Sequence, residues 1–252
     1  MSSDINIFSI PLYYISFKKN EQLEKELRDV GFTNINHFEA VNGKKLNLDK
    51  IIKNNIISVR TYNDLLLGRN EHSGISSLGA IGCSLSHYYL WRKCVNENLS
   101  YITIVEDDIK LKNLSERDIE NIKNVIKKDK GLFISPFSDP TNDSVYTFTG
   151  THFYIASNNA CKELIKYMFP IDVQLDAYMA HLKTLGYINL EGYHIFGQKV
   201  HMSSIQDICV KCILPKHSLF YLVWLIFVIL LIYLSIRYFS KYKTCVKTCK
   251  VK

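Results

Sequence analysis

Three consecutive carboxylates, Glu106-Asp107-Asp108, interrupt the segment YITIVEDDIKL at residues 101–111. A hydrophobic, β-branched run leads into them, and the chain resumes as Ile109-Lys110-Leu111. Adjacent carboxylates repel one another, so burying them without a cation is costly. Along an extended chain, side chains alternate, which puts Glu106 and Asp108 on one side and Asp107 on the other. Two oxygen-bearing side chains on one side, at the C-terminal end of a parallel strand, could hold a hard divalent ion such as Mn2+ or Mg2+. That edge is also where open α/β sheets bind ligands. On spacing alone, a solvated acidic turn competes with this reading.

The elements around the acidic strand must position it. The preceding run, SSLGAIGCSLSHYYLWRKCVNEN at residues 76–98, predicts a long helix from Leu78 to about Asn98. Its start is rich in small residues (Gly79, Ala80, Gly82, Cys83, Ser84, Ser86), which permits close approach to a neighbouring backbone or to a ligand. The unpaired N–H groups there could also favour a phosphate. Elsewhere, strand-like and helix-like patterns alternate. LYYIS at 12–16 predicts a strand, and 20–30 a helix with Asn20 as cap and Gly31 as stop. A second strand is expected at 37–41, closed by the turn Asn42-Gly43. Ser115-Glu-Arg-Asp opens a helix to Lys128 with a capping-box pattern. Strands are expected at 132–137, 152–156 and 187–190, and helices at 159–169 and 172–184. The alternation predicts one α/β domain with a mostly parallel sheet over about residues 1–210. The chain lacks GxGxxG after the first strand, GxxxxGK[ST], HExxH and GxSxG. Dinucleotide dehydrogenases, P-loop enzymes, zinc proteases and α/β-hydrolases lose their best support.

The chain has 252 residues, 31 Lys plus Arg and 24 Asp plus Glu, a formal charge of +7. Six basic residues and no acids lie between Arg237 and Lys252, leaving 25 basic against 24 acidic residues before them. The body is nearly neutral, so no nucleic-acid partner is expected. Residues 218–236, SLFYLVWLIFVILLIYLSI, carry no charge. Nineteen such residues at about 1.5 Å each match the ~30 Å core of a bilayer, predicting a single C-terminal transmembrane helix followed by a basic tail at 237–252. The run from Ile5 to Phe17 lacks a basic leader and a cleavage site, reads as a buried strand, and puts residues 1–217 on the cytosolic side. The basic flank argues the opposite orientation. Seven cysteines, an odd number, do not suggest a disulfide framework, and the lone Cys209-x-x-Cys212 has no second pair to complete a zinc site. Sequons at Asn98, Asn113 and Asn142 bear on the protein only in a lumenal setting.

The run GAIGCSLSHYYLWRKCVNENLSYITIVEDDIKL resembles the central signature of glycosyltransferase family 25, which includes lipooligosaccharide and procollagen galactosyltransferases. The opening LYYISFKKNEQLEKELRDVGF with FEAVNGKKL, the segment GTHFYIAS at 150–157, and IDVQLD followed by QKVHMSSIQD are similar to other family pieces in the same order. The resemblance covers about residues 10–207. It implies a GT-A-like fold, a UDP-sugar donor (a hexose, galactose or glucose), a divalent metal, transfer with inversion, and a glycan or glycoprotein acceptor. Carried over by position, Glu106 and Asp108 would sit at the metal and diphosphate, and Asp107 near the donor sugar.

Inverting transfer needs one carboxylate to take the proton of the attacking hydroxyl. Asp176 is the first candidate and Asp172 the second, at i,i+4 spacing in IDVQLDAYM; a helix cap competes as the role of Asp172. His87, Gly150 and Thr151 are donor-pocket candidates, with a buried, hydrogen-bonded core role competing for His87. Gln198 and Ser204 are weaker ones. The chain departs from the family where an arginine-rich NLxRRxxR stretch is common: it has Ile15-Ser-Phe-Lys-Lys-Asn20, with no arginine before Arg28. Lys18 or Lys19 could serve as a point charge, without bidentate geometry. A catalytically silent, membrane-anchored glycan-binding or scaffold relative is the rival reading. The altered basic stretch favours it, and the intact Glu106-Asp107-Asp108 favours the enzyme.

Overall fold

In a computed structural model describing residues 5–68, 74–75, 77–136, 150–198, 224–230 and 233, the strand β1 (Leu12–Ser16) is buried along its whole length. Its alternate residues feed two separate cores: Leu12 and Tyr14 one, Tyr13 and Ile15 the other. A strand apolar on both sides must be covered on both faces, and that dictates a three-layer α/β arrangement.

Helix α1 (Glu21–Val30) follows, capped by Asn20, whose side chain accepts from the Leu23 N–H, and ended by Gly31 at φ +114°. Strand β2 (Ile35–Glu39) precedes a 3-10 turn, Gly43–Lys45, capped by Asn42. Two short helices, α2 (Leu48–Lys53) and α3 (Val59–Leu67), had no counterpart in the sequence reading. Helix α4 (Leu78–Asn96) leads into β3 (Tyr101–Glu106), and Asp107-Asp108 form a turn into the two-residue β4 (Ile109–Lys110). Then come α5 (Glu116–Ile126), with the complete capping box of Ser115 and Asp118, β5 (Gly131–Ile134), β6 (Phe153–Ser157), α6 (Asn158–Tyr167), α7 (Leu175–Thr184), β7 (Asn189–Gly192) and β8 (Gly197–Gln198).

The main sheet has the order β2-β1-β3-β6-β5-β7, and β4 pairs with β8 in a separate ribbon. Strands β1, β2 and β3 run parallel, as do β5 and β7, but β6 is antiparallel to both its neighbours. The mostly parallel sheet expected from the sequence therefore contains one reversed strand. Its register sets Phe153 opposite Val105, so the residues just before β6 meet the end of β3. The N-terminal stretch read as a continuous strand is instead a 3-10 turn, Ile7–Ser9, followed by β1.

The expected transmembrane helix, and with it the single-pass membrane location with a cytosol-facing domain, is corrected. Among the described residues no helix is long and apolar enough to cross a membrane. Of residues 218–236, 224–230 and 233 are described, and they are helical. The rest of that stretch, apart from residue 233, and the basic tail lie outside the described residues. The chain divides into two compact units, Met1–Asp207 and Ile208–Lys252.

The small residues of α4 serve backbone-to-backbone packing. A Cβ on Gly82 would stand 2.5 Å from the Val41 carbonyl oxygen and 2.8 Å from the Gly43 nitrogen, and one on Gly43 would stand 2.0 Å from the Leu78 carbonyl oxygen. Ser86 completes the seam: its Oγ accepts from the Val41 N–H (2.9 Å) and donates to the Gly82 carbonyl (2.8 Å). Of the two neighbours the sequence allowed, ligand or backbone, the turn at 41–43 occupies the approach. Gly82→Ala is expected to destabilise the fold by about 1–3 kcal/mol through overpacking, read as a lowered urea midpoint at unchanged slope.

Candidate active site

Strand β3 has Ile102, Ile104 and Glu106 on the face that packs under α4. Helix α4 turns Cys83 and His87, one turn apart, toward the same strand end. The potential ligand atoms of Cys83, His87 and Glu106 all lie within 4.8 Å of one another. His87 is fully buried, with Nε2 3.4 Å from Glu106 Oε1, and among the described residues this nitrogen has no hydrogen-bond partner.

A buried chain of polar groups backs the imidazole. Trp91 Nε1–H donates to the Tyr154 hydroxyl at 2.8 Å, and that hydroxyl lies 2.8 Å from His87 Nδ1, with the two rings stacked. Each of the three side chains is completely buried. Two come from α4 and the third from the reversed strand β6, so the network exists only because β6 lies beside β3.

The loop before β6 supplies the next contacts. Thr151 Oγ1 donates to Glu106 Oε1 at 2.6 Å, the Glu106 N–H donates to the His152 carbonyl at 3.0 Å, and the Gly150 N–H donates to Asp176 Oδ2 at 3.0 Å. Asp176 sits in the first turn of α7, where its other oxygen accepts from the Ala177 N–H at 2.8 Å. A carboxylate at a helix start is favoured there by the exposed N–H groups. Gly150-Thr151 thus bridges Glu106 and Asp176. Burial raises the Glu106 carboxyl, but His87 and Thr151 outweigh it and hold the group below its usual range. Burial pushes the Cys83 thiol well up, and the negative charges of Glu106, Asp176 and Asp108 push it further. Glu106 and Asp176 are thus linked through Gly150-Thr151, and Asp108, two residues past Glu106, is buried at 7% exposure. Such a set is what a hard cation would relieve, so these residues fit a divalent ion.

Glu106, Asp108, Asp176, Gly150, Thr151 and His87 come together. Asp107 faces elsewhere, in an open depression of about 610 Å³ at the end of β1, shared with Ser16, Phe17, Lys18, Lys19, Asn20 and Glu21. The extended chain expected through 106–108 instead turns at Asp107-Asp108, and Asp107 is joined in the depression by Lys18. Lys19 leans toward Glu24 at 3.7 Å, and Arg28 also pairs with Glu24, at 3.4 Å. Asp172 lies apart. Helix α7 begins at Leu175 with Gln174 as its cap, so Asp172 precedes the helix and does not share a helical face with Asp176. Its carboxylate accepts from Ser58 and pairs with Arg60 at 3.1 Å, tying 171–172 to the start of α3. Gln198 lies in β8, and Ser204 falls outside the described residues. The sequence reading missed the roles of Cys83, Tyr154 and Trp91. Cys83 and His87 at i,i+4 were the available signal, whereas Tyr154 is more than sixty residues from its partners and left none.

The family model described as glycosyltransferase family 25 (LPS biosynthesis protein) matches residues 9–138, which is 130 of the 252 residues and spans the acidic strand. The chain belongs to glycosyltransferase family 25. Lipooligosaccharide biosynthesis protein lex-1 of Haemophilus influenzae is 35% identical over 124 residues, 41% of each chain. A glycosyltransferase 25 family member of Drosophila pseudoobscura pseudoobscura is 33% identical over 93 residues, 37% of this chain and 14% of that protein. Procollagen galactosyltransferase 1 of Danio rerio is 29% identical over 91 residues, 36% of this chain and 14% of its own length. The matches span less than half the length of each of these relatives.

Two outcomes follow for this family 25 site. Tyr154→Phe removes the hydroxyl that joins Trp91 and His87 and leaves buried polar atoms unmatched; a loss of about 1–3 kcal/mol per stranded group is expected in urea unfolding. His152 is buried, and that burial pushes its pKa below the ordinary value, against the opposing pull of the Phe196 carbonyl and Glu106. Its folded pKa lies under its unfolded one, so its contribution to stability is intact above about pH 6.5 and declines as the pH falls below that, where the unfolded chain takes up the proton first. Melting temperatures measured from neutral to mildly acidic pH should drop less steeply in His152→Gln.

Proposed function

We propose that this family 25 chain is a metal-dependent, inverting hexosyltransferase that moves galactose or glucose from a UDP-sugar to a glycan or glycosylated protein. The observation that carries the reading is the linkage of Glu106 and Asp176 through Gly150-Thr151 at the C-terminal end of β3, with the buried Asp108 two residues beyond Glu106. The names of the relatives, one in lipooligosaccharide biosynthesis and one a procollagen galactosyltransferase, agree with it.

In this reading Asp108, with Glu106, would hold a divalent ion, Mn2+ or Mg2+. Bound there, the ion supplies Lewis-acid neutralisation of the charge that the leaving diphosphate acquires. The chain's own groups do the rest. Asp176 accepts the proton of the acceptor hydroxyl as its oxygen attacks the anomeric carbon and the bond to the diphosphate breaks. The Gly150 N–H orients the Asp176 carboxylate, and Thr151 does the same for Glu106. Because the attack inverts the centre in one step, a single base suffices and no covalent intermediate is needed. The depression beside β1 accommodates donor groups: Lys18 offers a positive charge to phosphate oxygens, and Asp107 accepts hydrogen bonds from sugar hydroxyls. Asp172, engaged with Ser58 and Arg60, shapes the chain ahead of α7.

The test is UDP release by the full chain from a panel of UDP-hexoses, with Mn2+ and with chelator. Turnover should require the metal and vanish in Asp108→Ala. Asp176→Asn should lower kcat by about 10²–10⁴-fold, the usual worth of a general base, while Asp172→Asn should keep most of it. No turnover with any donor, together with no metal-linked rise in melting temperature, would overturn the reading.

A further inference from the structure

Cys83, His87 and Glu106 differ from the oxygen-only edge at Asp108 in one chemical respect: they offer sulfur, nitrogen and oxygen to a single point. We propose that these three side chains form a binding site for a borderline divalent cation of the zinc class, distinct in donor chemistry from the hard-cation edge at Asp108 and sharing only Glu106 with it. His87 Nε2 is the observation that points to a ligand, with the Glu106 carboxylate as its polar neighbour. It is fully buried, it has no hydrogen-bond partner among the described residues, and it is aimed at Glu106 Oε1 from 3.4 Å. Ligands of one tetrahedral zinc, at about 2.0–2.3 Å from the metal, stand roughly 3.3–3.8 Å apart. The histidine and the carboxylate already stand at that spacing. Cys83, within 4.8 Å of both, closes the remainder with a small side-chain adjustment.

The surroundings match such a site. Cys83 and His87 sit one helical turn apart on α4, a rigid element. The Tyr154 hydroxyl on Nδ1 does what an outer partner does for a metal-bound imidazole, fixing the ring and leaving Nε2 for the metal. Thr151 orients the carboxylate in the same way. A thiolate and a carboxylate together carry two negative charges, which a divalent ion neutralises, so the buried site closes without net charge. Cys83 is half-buried and the Glu106 side chain is 13% exposed, which leaves a route for the ion. On binding, the Cys83 S–H gives its proton to solvent, the sulfur–metal bond forms, and the imidazole binds through Nε2 with its proton on Nδ1. Three protein ligands leave the fourth tetrahedral position for water.

Cobalt(II), which reports thiolate ligation optically, is the probe. The full chain with Cys209, Cys212, Cys245 and Cys249 all replaced by serine confines the signal to the remaining thiols. One equivalent of Co2+ should produce a thiolate-to-cobalt charge-transfer band with tetrahedral visible absorption, and zinc should abolish both. Cys83→Ser in that background should remove the band, with folding verified by circular dichroism, and Tyr154→Phe should weaken binding by about 10- to 100-fold. X-ray absorption of the zinc-loaded background protein gives a measurement without further mutation: one sulfur at about 2.3 Å with nitrogen and oxygen at about 2.0–2.1 Å. A zinc shell lacking sulfur, or a cobalt band that survives Cys83→Ser, overturns the proposal. Neither readout depends on sugar transfer, so loss of transferase activity alone leaves it standing.

Discussion

The antiparallel pairing of β6 with β3 is the contact on which the rest of the site depends. Five register pairs, from Tyr101 with Ser157 to Val105 with Phe153, bind the two strands. A parallel strand in that position would deliver its C-terminal end to the edge where β3 stops. The reversed strand delivers its beginning instead, and the residues before it, Gly150 to His152, arrive beside Glu106. Every polar link across the site then follows from main-chain geometry: Thr151 to Glu106, Gly150 to Asp176, and Tyr154 on the same strand to His87 and Trp91.

Charge is the second organising constraint. Glu106, Asp108 and Asp176 converge where burial already disfavours an anion, and their joint field is registered at the Cys83 thiol. Proteins accommodate such clusters by hydrogen bonds to each carboxylate, by a cation, or by both. Here Thr151, Gly150 and the Ala177 N–H supply the first remedy for Glu106 and Asp176. Asp107, in the turn that follows β3, shares the depression with Lys18 and Lys19.

Local signals were legible where one short stretch decides the outcome. LYYIS is β1 to the residue, Asn20 and Gly31 bracket α1, and the Ser115 box opens α5, because caps and strand runs depend on neighbours a few residues apart. The acidic strand end stood out for the same reason. What stayed hidden required long-range pairing. Nothing in FYIAS distinguishes a strand running up from one running down, so the reversal of β6 and the role of Tyr154 were invisible. Asp172 was misjudged as a helical residue because its partners, Ser58 and Arg60, lie more than a hundred positions away. The apolar run at 218–236 shows the limit of a composition signal: hydropathy measures a preference for apolar surroundings, and among the described residues no helix is long and apolar enough to cross a membrane.

The indole of Trp91 ends the buried chain that begins at Glu106, and it is one of only two tryptophans in the protein. Its surroundings are dry and its N–H is held by a tyrosine that also touches the site histidine. A fluorophore so placed emits toward the blue and responds to changes in the field around its hydrogen bond. A change of charge at Glu106, two side chains away, would reach that indole through His87 and Tyr154 and be read as a shift in intrinsic emission. The molecule carries its own optical gauge, which needs no label, coupled assay or knowledge of the acceptor.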